Sequence, residues 1–260
     1  MMSFENQPVL VTGATSGIGR AIAVAFGQVG AKVGVLGRDA TRANQVVTEI
    51  QAAGGEAIPL LADVQDACQT ETAINQFAQE AGGLVAAVNA AGLDLEQSLV
   101  DYSLAEFDAV FGTNVRGLFV CMQAEIRAMR PQKTGAILNL TSIAARHEVP
   151  HNALYNASKA AVSMLTRCAA LEEGPQGIRV NELAPGPVDT PMLRGFLAKA
   201  GADGITAGEA LLAQVSPLGR IGTPEELAQA AVFLCSPEAA YITGACLTVD
   251  GGFSLGVRLS

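Results

Sequence analysis

The chain of 260 residues contains no tryptophan, and only 5% of it is aromatic. Since proteins that bind single-stranded nucleic acid stack its bases on aromatic side chains, the sequence offers little for such a platform. Lysine and arginine are also few, 16 against 25 acidic residues, so the net charge is −9 and no basic run occurs. We therefore expect neither a nucleic acid nor an anionic membrane surface as a partner.

Long apolar runs are absent as well, because Gly, Asn or a charge interrupts each one before it reaches the length of a bilayer span. Residues 1–6 lack the basic and apolar regions of a signal peptide. The five cysteines are odd in number and form no CxxC pair, which favours buried thiols in a reducing cytosol. With two histidines in the chain a zinc site has few ligands, so we expect a cytoplasmic protein without a metal.

The hydrophobic pattern predicts one α/β domain over residues 1–260. Half of the residues are hydrophobic and only 16% are charged, which excludes a disordered chain. Apolar runs typical of strands covered on both faces alternate with helical stretches, and the runs lie at 9–12, 32–36, 57–61, 84–89 and 136–140. This alternation predicts a doubly wound parallel sheet with helices on both faces.

After residue 140 the pattern continues with helices predicted at 153–173 and 224–235 and strands at 178–183 and 246–249. The segment 187–217 is rich in glycine and only weakly periodic. Such a segment beside a ligand cleft is typical of a lid. We therefore predict a substrate lid at about 187–217.

A glycine-rich turn joins the first predicted strand to the first helix and reads Thr12-Gly13-Ala14-Thr15-Ser16-Gly17-Ile18-Gly19. Glycines let the backbone turn tightly and approach a pyrophosphate, and the helix N-terminus offers unpaired N–H groups. The spacing is not GxGxxG, because position 15 is not a glycine. A plain strand-to-helix turn is the alternative, but a place on the first βα unit favours nucleotide binding.

The turn resembles the TGxxxGxG segment of the short-chain dehydrogenase/reductase family. Further matches follow in the family's order from about residue 9 to 253: Asn89-Ala90-Ala91-Gly92 where the family carries NNAG, then Asn114, Ser142, Tyr155-Asn156-Ala157-Ser158-Lys159 and Pro185-Gly186. Ala90 departs from the family pattern, which has a second Asn. The resemblance implies a single NAD(P)-binding, Rossmann-like domain of about seven strands that acts as an oxidoreductase.

Tyr155 and Lys159 lie four residues apart on a predicted helix, so their side chains share one face. A tyrosine that titrates near 10 exchanges protons poorly at neutral pH, and an adjacent ammonium would lower its pKa. An ordinary surface lysine beside a half-buried tyrosine is the alternative. Together with the glycine turn, Ser142 and Asn114, the pair indicates catalysis.

The resemblance implies a role for each matched position. Tyr155 would deliver a proton to the substrate oxygen and Ser142 would hydrogen-bond it, while Lys159 would hold the nicotinamide ribose and Asn114 would position the lysine through bound water. Val188 and Thr190 would hold the carboxamide, Asn89 would pack near the adenosine, and Asp63 would contact the adenine unless it caps a helix. The cofactor-binding set is Gly13, Thr15, Ser16, Gly17, Ile18, Gly19, Arg38, Asp63, Val64, Asn89, Ala91, Gly92, Tyr155, Lys159, Pro185, Gly186, Val188 and Thr190. The substrate set is Ser142, His147 and Tyr155.

The end of the second strand predicts which nicotinamide is bound. Members of the family that prefer NAD carry Asp at the position that resembles Gly37, and Arg38 follows here. An arginine fork suits a 2′-phosphate, and Arg42 lies one helical turn further on. Asp39 would cap its own helix, and Ser16 stands where many NADP-binding members carry a basic residue. We therefore expect NADP(H) rather than NAD(H).

The sequence thus predicts NADP(H)-dependent reduction of a ketone to a secondary alcohol, or the reverse, on a small apolar or mixed substrate. An NAD-dependent alcohol or sugar dehydrogenase, a 3-oxoacyl-thioester reductase and a non-catalytic nucleotide sensor are the alternatives. A hydrolase is disfavoured, because no GxSxG elbow is present. The helices predicted over 107–129 and 153–171 are too apolar for fully solvated faces, and the resemblance implies that they pair across a two-fold axis. With the segment 251–253 at a second interface, we expect a homotetramer.

Overall fold

The computed structural model describes residues 3–199 and 204–255. Seven strands form one sheet: β1 (Pro8–Thr12), β2 (Lys32–Gly37), β3 (Glu56–Leu61), β4 (Ala86–Asn89), β5 (Gly135–Leu140), β6 (Ile178–Pro185) and β7 (Cys246–Val249). All six pairings are parallel, in the order β3-β2-β1-β4-β5-β6-β7. The predicted doubly wound sheet is therefore confirmed. Its order reverses between β1 and β4, and in open α/β sheets ligands bind at the carboxyl ends beside that point.

Helices cover both faces of the sheet, as predicted. They are α1 (Gly17–Gln28), α2 (Ala40–Ala52), α3 (Ala67–Ala81), α4 (Leu104–Phe111), α5 (Leu118–Met129), α6 (Ala153–Glu173), α7 (Pro191–Ala198), α8 (Gly204–Val215) and α9 (Pro224–Cys235). One buried core joins α1, α2 and α9 to the sheet, and the other joins α3, α5 and α6 to its opposite face. None of the helices in these ranges is long and apolar enough to cross a membrane.

Two predicted elements differ in the structure. The single helix expected over 107–129 is instead α4, a π-helical turn at Gly112–Gly117, and α5. The wider π turn shifts the register of the helix and turns Asn114 toward the loop after β4, a local change that hydrophobic periodicity does not report.

The segment 187–217 contains two helices within its described residues, although the sequence predicted a weakly structured lid. Thr190 caps α7 by accepting a hydrogen bond from the Leu193 amide, and Pro191 occupies the first turn. Gly208 of α8 packs directly against Leu197 of α7, where an added Cβ would overlap that side chain. The glycine that obscured the periodic pattern is therefore what lets the two helices approach each other closely.

Candidate active site

The glycine turn after β1 is shaped by close backbone contacts. Gly13 has φ +64° and Gly17 has φ +52°, both in the left-handed region that favours glycine. A Cβ on Gly13 would lie 2.6 Å from the backbone of Ala91, and one on Gly19 would overlap the carbonyl oxygen of Gly13. Ser16 is the N-cap of α1 but makes no side-chain cap hydrogen bond, so the first amides of this helix are free to bind an anion.

This turn opens into a cavity of about 710 Å³ at the carboxyl ends of the strands. Every residue of the predicted cofactor-binding set except Asn89 lines it: Gly13, Thr15, Ser16, Gly17, Ile18, Gly19, Arg38, Asp63, Val64, Ala91, Gly92, Tyr155, Lys159, Pro185, Gly186, Val188 and Thr190. The polar groups of the lining fit a dinucleotide, since free helix amides and two arginines donate to phosphates and a carboxylate accepts from an adenine or a ribose. The sequence therefore placed nearly all of this set on one surface.

Ser142, Tyr155 and Lys159 meet in the same cavity. Ser142 follows β5 and its Oγ accepts a hydrogen bond from the Ala144 amide at 3.1 Å, which holds the hydroxyl at the strand end. Its hydroxyl lies close enough to the Tyr155 hydroxyl to lower the pKa of that group. Lys159 is 5% exposed, its Nζ lies 5.6 Å from the centroid of the Tyr155 ring, and it donates to the Leu140 carbonyl at 2.8 Å. An ammonium has three donors, so two remain for a ligand.

The pKa of Tyr155 moves opposite to the sequence-based expectation. Burial raises it to about 12, with the negative charge of Asp94 adding to the effect and the Ser142 hydrogen bond opposing it. Burial also lowers the pKa of Lys159 to about 8, while Asp94 opposes that shift. In the chain by itself the tyrosine pKa is therefore raised rather than lowered, and Tyr155 remains protonated at neutral pH.

Asn114 lies in the π turn and is 1% exposed. Its Nδ2 donates to the Leu93 carbonyl at 2.8 Å and to Ser158 Oγ at 2.9 Å, and its Oδ1 accepts from the Leu93 amide at 2.7 Å. Its side chain thus fastens the loop after β4 to α6. Gly92 lies between Asn114 and Lys159 in the cavity wall. A Cβ added to Gly92 would lie 3.7 Å from Asn114 Oδ1 and 3.7 Å from Lys159 Nζ.

Asn89 lies outside the cavity lining, within the core below it. It is 2% exposed, and its Nδ2 donates to Glu125 Oε2 at 2.9 Å and to Asn139 Oδ1 at 3.0 Å. Asn139 in turn donates to Thr166 Oγ1 at 2.9 Å. The structure thus places Asn89 in a buried network that joins β4 and β5 to α5 and α6, because its side chain points to the helix-covered face of β4.

Glu125 of this network is fully buried, and its Oε1 has no hydrogen-bond partner among the described residues. Burial raises its pKa to about 8. In the unfolded chain the carboxyl loses its proton near the ordinary glutamate pKa of about 4.3. Between this pKa and the raised one only the native state holds the proton. The free energy of unfolding therefore falls as the pH rises between the two pKa values. We expect Glu125→Gln to remove this slope and to stabilise the protein at pH 9 by up to about 5 kcal/mol, since each unit of the pKa gap corresponds to about 1.4 kcal/mol.

Urea unfolding of wild type and the Gln variant at pH 5, 7 and 9 checks this expectation. The exposed Glu148→Gln is the matched control, since it removes a carboxylate from the surface, and it should leave the slope unchanged. A difference between wild type and Glu125→Gln that is the same at all three pH values would contradict a buried titrating group.

The rim near the end of β2 carries the predicted cofactor selectors. Asp39 caps α2, as expected, by accepting from the Arg42 amide at 3.1 Å, and its other oxygen lies 3.4 Å from Arg42 Nε. Arg38 Nη1 is 3.7 Å from Asp63 Oδ2 in a loose, exposed pair. A Cβ on Gly37 would lie 2.5 Å from Thr15 Cγ2. The carboxylate of Asp39 is therefore bound to its own helix. Thr15 fills the space that a side chain at position 37 would need.

His147, the third predicted substrate residue, is exposed and does not belong to the cavity lining. Several residues that do line it were not in the predicted sets, among them Asp94, Val149, Asn152, Met192 and Phe253. They lie in loops, in the first turns of helices and near the end of the described chain, where no periodic pattern operates. The one available signal was the position of Asp94, two residues beyond the Asn89–Gly92 segment.

Comparison with known proteins places these features in a family context. A family model described as Enoyl-(Acyl carrier protein) reductase matches residues 13–254. The chain is 38% identical to a 3-oxoacyl-[acyl-carrier-protein] reductase of Synechocystis, over 97% of this chain and 98% of that protein. It is 36% identical to a 2,5-dichloro-2,5-cyclohexadiene-1,4-diol dehydrogenase of Sphingobium indicum, over 95% and 96% of the two chains.

Solved structures agree with the fold over the full length of the chain. A putative short-chain alcohol dehydrogenase of Sinorhizobium meliloti superposes with a TM-score of 0.92 at 35% identity, covering 98% of this chain and 99% of that one. A 7α-hydroxysteroid dehydrogenase, solved with NADH and 7-oxoglycochenodeoxycholic acid, gives a TM-score of 0.91 at 33% identity, covering 98% and 97%. These matches extend across the glycine turn, the cavity and the helices that cover it.

Proposed function

Because the chain belongs to the short-chain dehydrogenase/reductase family, whose members bind NAD(P)(H), we propose that it reduces a ketone to a secondary alcohol with NADPH, or runs the reverse reaction with NADP. The chain is an oxidoreductase that acts on CH–OH groups, as its relatives are. The observation that carries the proposal is the meeting of Ser142, Tyr155 and Lys159 in one cavity with the glycine turn of α1.

A bound nicotinamide supplies the hydride in reduction and accepts it in oxidation. Tyr155 holds a proton at neutral pH and donates it to the carbonyl oxygen as that oxygen becomes an alkoxide. Ser142, fixed by the Ala144 amide, donates a hydrogen bond to the same oxygen and stabilises its developing charge. Lys159 is anchored on the Leu140 carbonyl and uses its remaining N–H groups to bind the ribose.

The preference for NADPH rests on the charges at the end of β2. Arg38 and Arg42 both line the cavity rim, and the carboxylate beside them, Asp39, is taken up by its own helix. A 2′-phosphate on the adenosine ribose would meet guanidinium donors here, whereas a bare ribose would find no free carboxylate at position 37 or 39 to accept from its hydroxyls.

The substrate end of the cavity is largely apolar. Met192, Leu193 and Phe196 of α7, Leu212 of α8 and Phe253 line it. These side chains suit an apolar or mixed ketone better than a polyanion. A 3-oxoacyl-thioester reductase is the second candidate, because a relative at 38% identity carries that name. The net charge of −9 opposes it, since a carrier protein that is itself acidic would be repelled.

Oxidation of NADPH in the presence of cyclohexanone, a set of hydroxyketones and acetoacetyl thioesters tests these functions together. We expect turnover with the free ketones and a lower kcat/KM with the thioesters. A higher kcat/KM for the thioesters would favour the second candidate. Tight binding of NADPH with no turnover of any carbonyl compound would instead support the nucleotide sensor.

We further propose a homotetramer that buries the outer faces of α4, α5 and α6. Large apolar side chains are exposed on all three helices, among them Phe107 (42%), Phe119 (43%), Met164 (54%) and Leu171 (82%). Large apolar side chains exposed on three helices are typical of a subunit interface. Light scattering at micromolar concentration should give about four times the chain mass of 26.6 kDa. A mass of one chain would contradict the proposal.

The cysteines support the proposal of a cytoplasmic enzyme. All five are free thiols within the described ranges, and Cys121 and Cys235 are buried. Burial raises the pKa of both thiols, that of Cys235 to about 12, so they remain protonated and unreactive. Such thiols suit a reducing compartment.

A further inference from the structure

Asp94 places an unused carboxylate oxygen at the wall of the active-site cavity. It lies in the loop after β4, which Asn114 fastens through Leu93, and it lines the same cavity as Tyr155. Its Oδ2 accepts a hydrogen bond from Asn152 Nδ2 at 3.3 Å. Its Oδ1 is buried and has no partner among the described residues. A buried acceptor left in this state destabilises the protein unless a ligand supplies the donor.

Asn152 adds a second unused acceptor beside the first. It is the N-cap residue of α6, is 6% exposed and lines the cavity. Because its Nδ2 donates to Asp94, its Oδ1 is left buried and without a partner among the described residues. Asn152 precedes Tyr155 by three residues, which places both side chains on one face of the first turn of α6. Two free acceptors thus belong to residues that line the same cavity as Tyr155, the proton donor.

The charges around this pair favour a neutral donor. Burial has the largest effect on Asp94 and raises its pKa, and the nearby Glu96 raises it further. The ammonium groups of Lys199 and Lys159 act in the opposite direction. The charges of the two carboxylates are thus balanced by those of the two ammonium groups. A cationic ligand would therefore bind this site with little electrostatic attraction. A phosphate or carboxylate ligand would bring only further acceptors, whereas a hydroxyl brings the missing donor.

We propose that Asp94 and Asn152 form a hydroxyl-binding subsite, so that the substrate is a ketone or secondary alcohol that carries a second hydroxyl group. The inference rests on the proposed function, in which Tyr155 and Ser142 bind the reacting oxygen. The subsite accepts a hydrogen bond from the second hydroxyl group of the substrate. This contact fixes which face of the carbonyl is turned toward the nicotinamide. It therefore determines specificity, and the apolar side chains of α7 and α8 contact the carbon skeleton.

Matched ketones test the subsite by turnover. Cyclohexanone, 2-hydroxycyclohexanone and 4-hydroxycyclohexanone share one ring and one carbonyl and differ in the second hydroxyl. We expect wild type to show kcat/KM at least about tenfold higher for one of the hydroxyketones than for cyclohexanone, the effect of one hydrogen bond to a charged acceptor. Asp94→Leu, of similar size but without acceptors, should reduce this ratio to about one.

Two further variants distinguish hydroxyl binding by Asp94 from an effect of its charge on Tyr155. Glu96→Gln removes a neighbouring carboxylate that pairs with Lys199 and does not line the cavity, so it should keep the wild-type ratio. Asp94→Asn keeps the size and one acceptor, and its ratio should fall only in part because bonds to neutral acceptors are weaker. If Asp94 acted only by its charge on Tyr155, every ketone would change alike and the ratio would stay at the wild-type value in both Asp94 variants.

Binding of the corresponding alcohols gives a readout that needs no chemistry. By calorimetry on the protein saturated with NADPH, which cannot oxidise an alcohol, cyclohexane-1,2-diol or cyclohexane-1,4-diol should bind wild type at least about tenfold more tightly than cyclohexanol, and Asp94→Leu should bind all three alike. A diol preference without turnover of any ketone would uphold the subsite and refute the proposed reaction. Equal affinities for diols and cyclohexanol in wild type would overturn the subsite, whatever the turnover.

Discussion

Replacing Tyr155 with phenylalanine is expected to lower kcat for ketone reduction by about 10²–10⁴, the usual contribution of general acid catalysis. The change removes one hydroxyl from a half-buried side chain and leaves the ring that Lys159 contacts. Ser142 would then be the one remaining member of the proposed pair that binds the carbonyl oxygen. Steady-state kinetics with NADPH measure kcat, and fluorescence titration measures the affinity for NADPH.

The chain offers a control, because Tyr241→Phe makes the same change at a fully exposed position. That variant should keep wild-type kinetics. Tyr155→Phe should keep the affinity for NADPH within about threefold, since the loss belongs to the proton transfer. A Tyr155→Phe enzyme that kept more than about a third of wild-type kcat would remove this residue from the mechanism.

The second large effect is expected at Arg38. If its guanidinium binds the 2′-phosphate, the native enzyme should prefer NADPH over NADH by about 10–100-fold in kcat/KM, since a hydrogen bond to a charged group contributes roughly 1.5–3 kcal/mol. Arg38→Ala should lose most of this preference by weakening NADPH alone. The loose pair with Asp63 and the exposure of Arg38 leave its fork free to reorient toward a phosphate.

Arg20→Ala is the matched control, because Arg20 pairs with Glu49 and lies outside the cavity lining. A reversed preference needs two changes, since a side chain on Gly37 would meet Thr15 Cγ2. We therefore expect Gly37→Asp to weaken both cofactors and Gly37→Asp with Thr15→Ser to favour NADH. A wild type that already prefers NADH would show that neither Arg38 nor Arg42 holds a phosphate.

Much of the fold could be predicted from the sequence, because strands and helices follow from local, repeating hydrophobic patterns. Strands buried on both faces must be apolar throughout, and the runs at 9–12 and 136–140 become β1 and β5 almost to the residue. The helix at 153–173 has the predicted bounds, since Gly174-Pro175 stop it. The π turn around Asn114 and the α7–α8 pair were missed, because both depend on side-chain packing that hydrophobic periodicity does not report.

The candidate site, like the fold, could be predicted from the sequence only in part. Tyr155 and Lys159 were found because one helix fixes their separation, and the glycines because the chain must turn closely there. The raised pKa of Tyr155 was not predictable, since it comes from burial and from Asp94, which reaches the cavity through a separate loop. His147 was included because the stretch between Ser142 and Tyr155 lines the substrate side in the resembled family, but its side chain is exposed and lies outside the cavity lining.

The central claim is that this cavity transfers a hydride between a nicotinamide and a carbonyl carbon while Tyr155 transfers the proton. It is tested most directly by reducing a hydroxyketone substrate with NADPH deuterated at nicotinamide C4, on each face in turn, and locating the label by NMR. We predict deuterium on the new carbinol carbon with one of the two labelled faces, at a rate that Tyr155→Phe lowers by about 10²–10⁴. Alcohol formed without deuterium from either face, or formed equally fast by Tyr155→Phe, would contradict the claim.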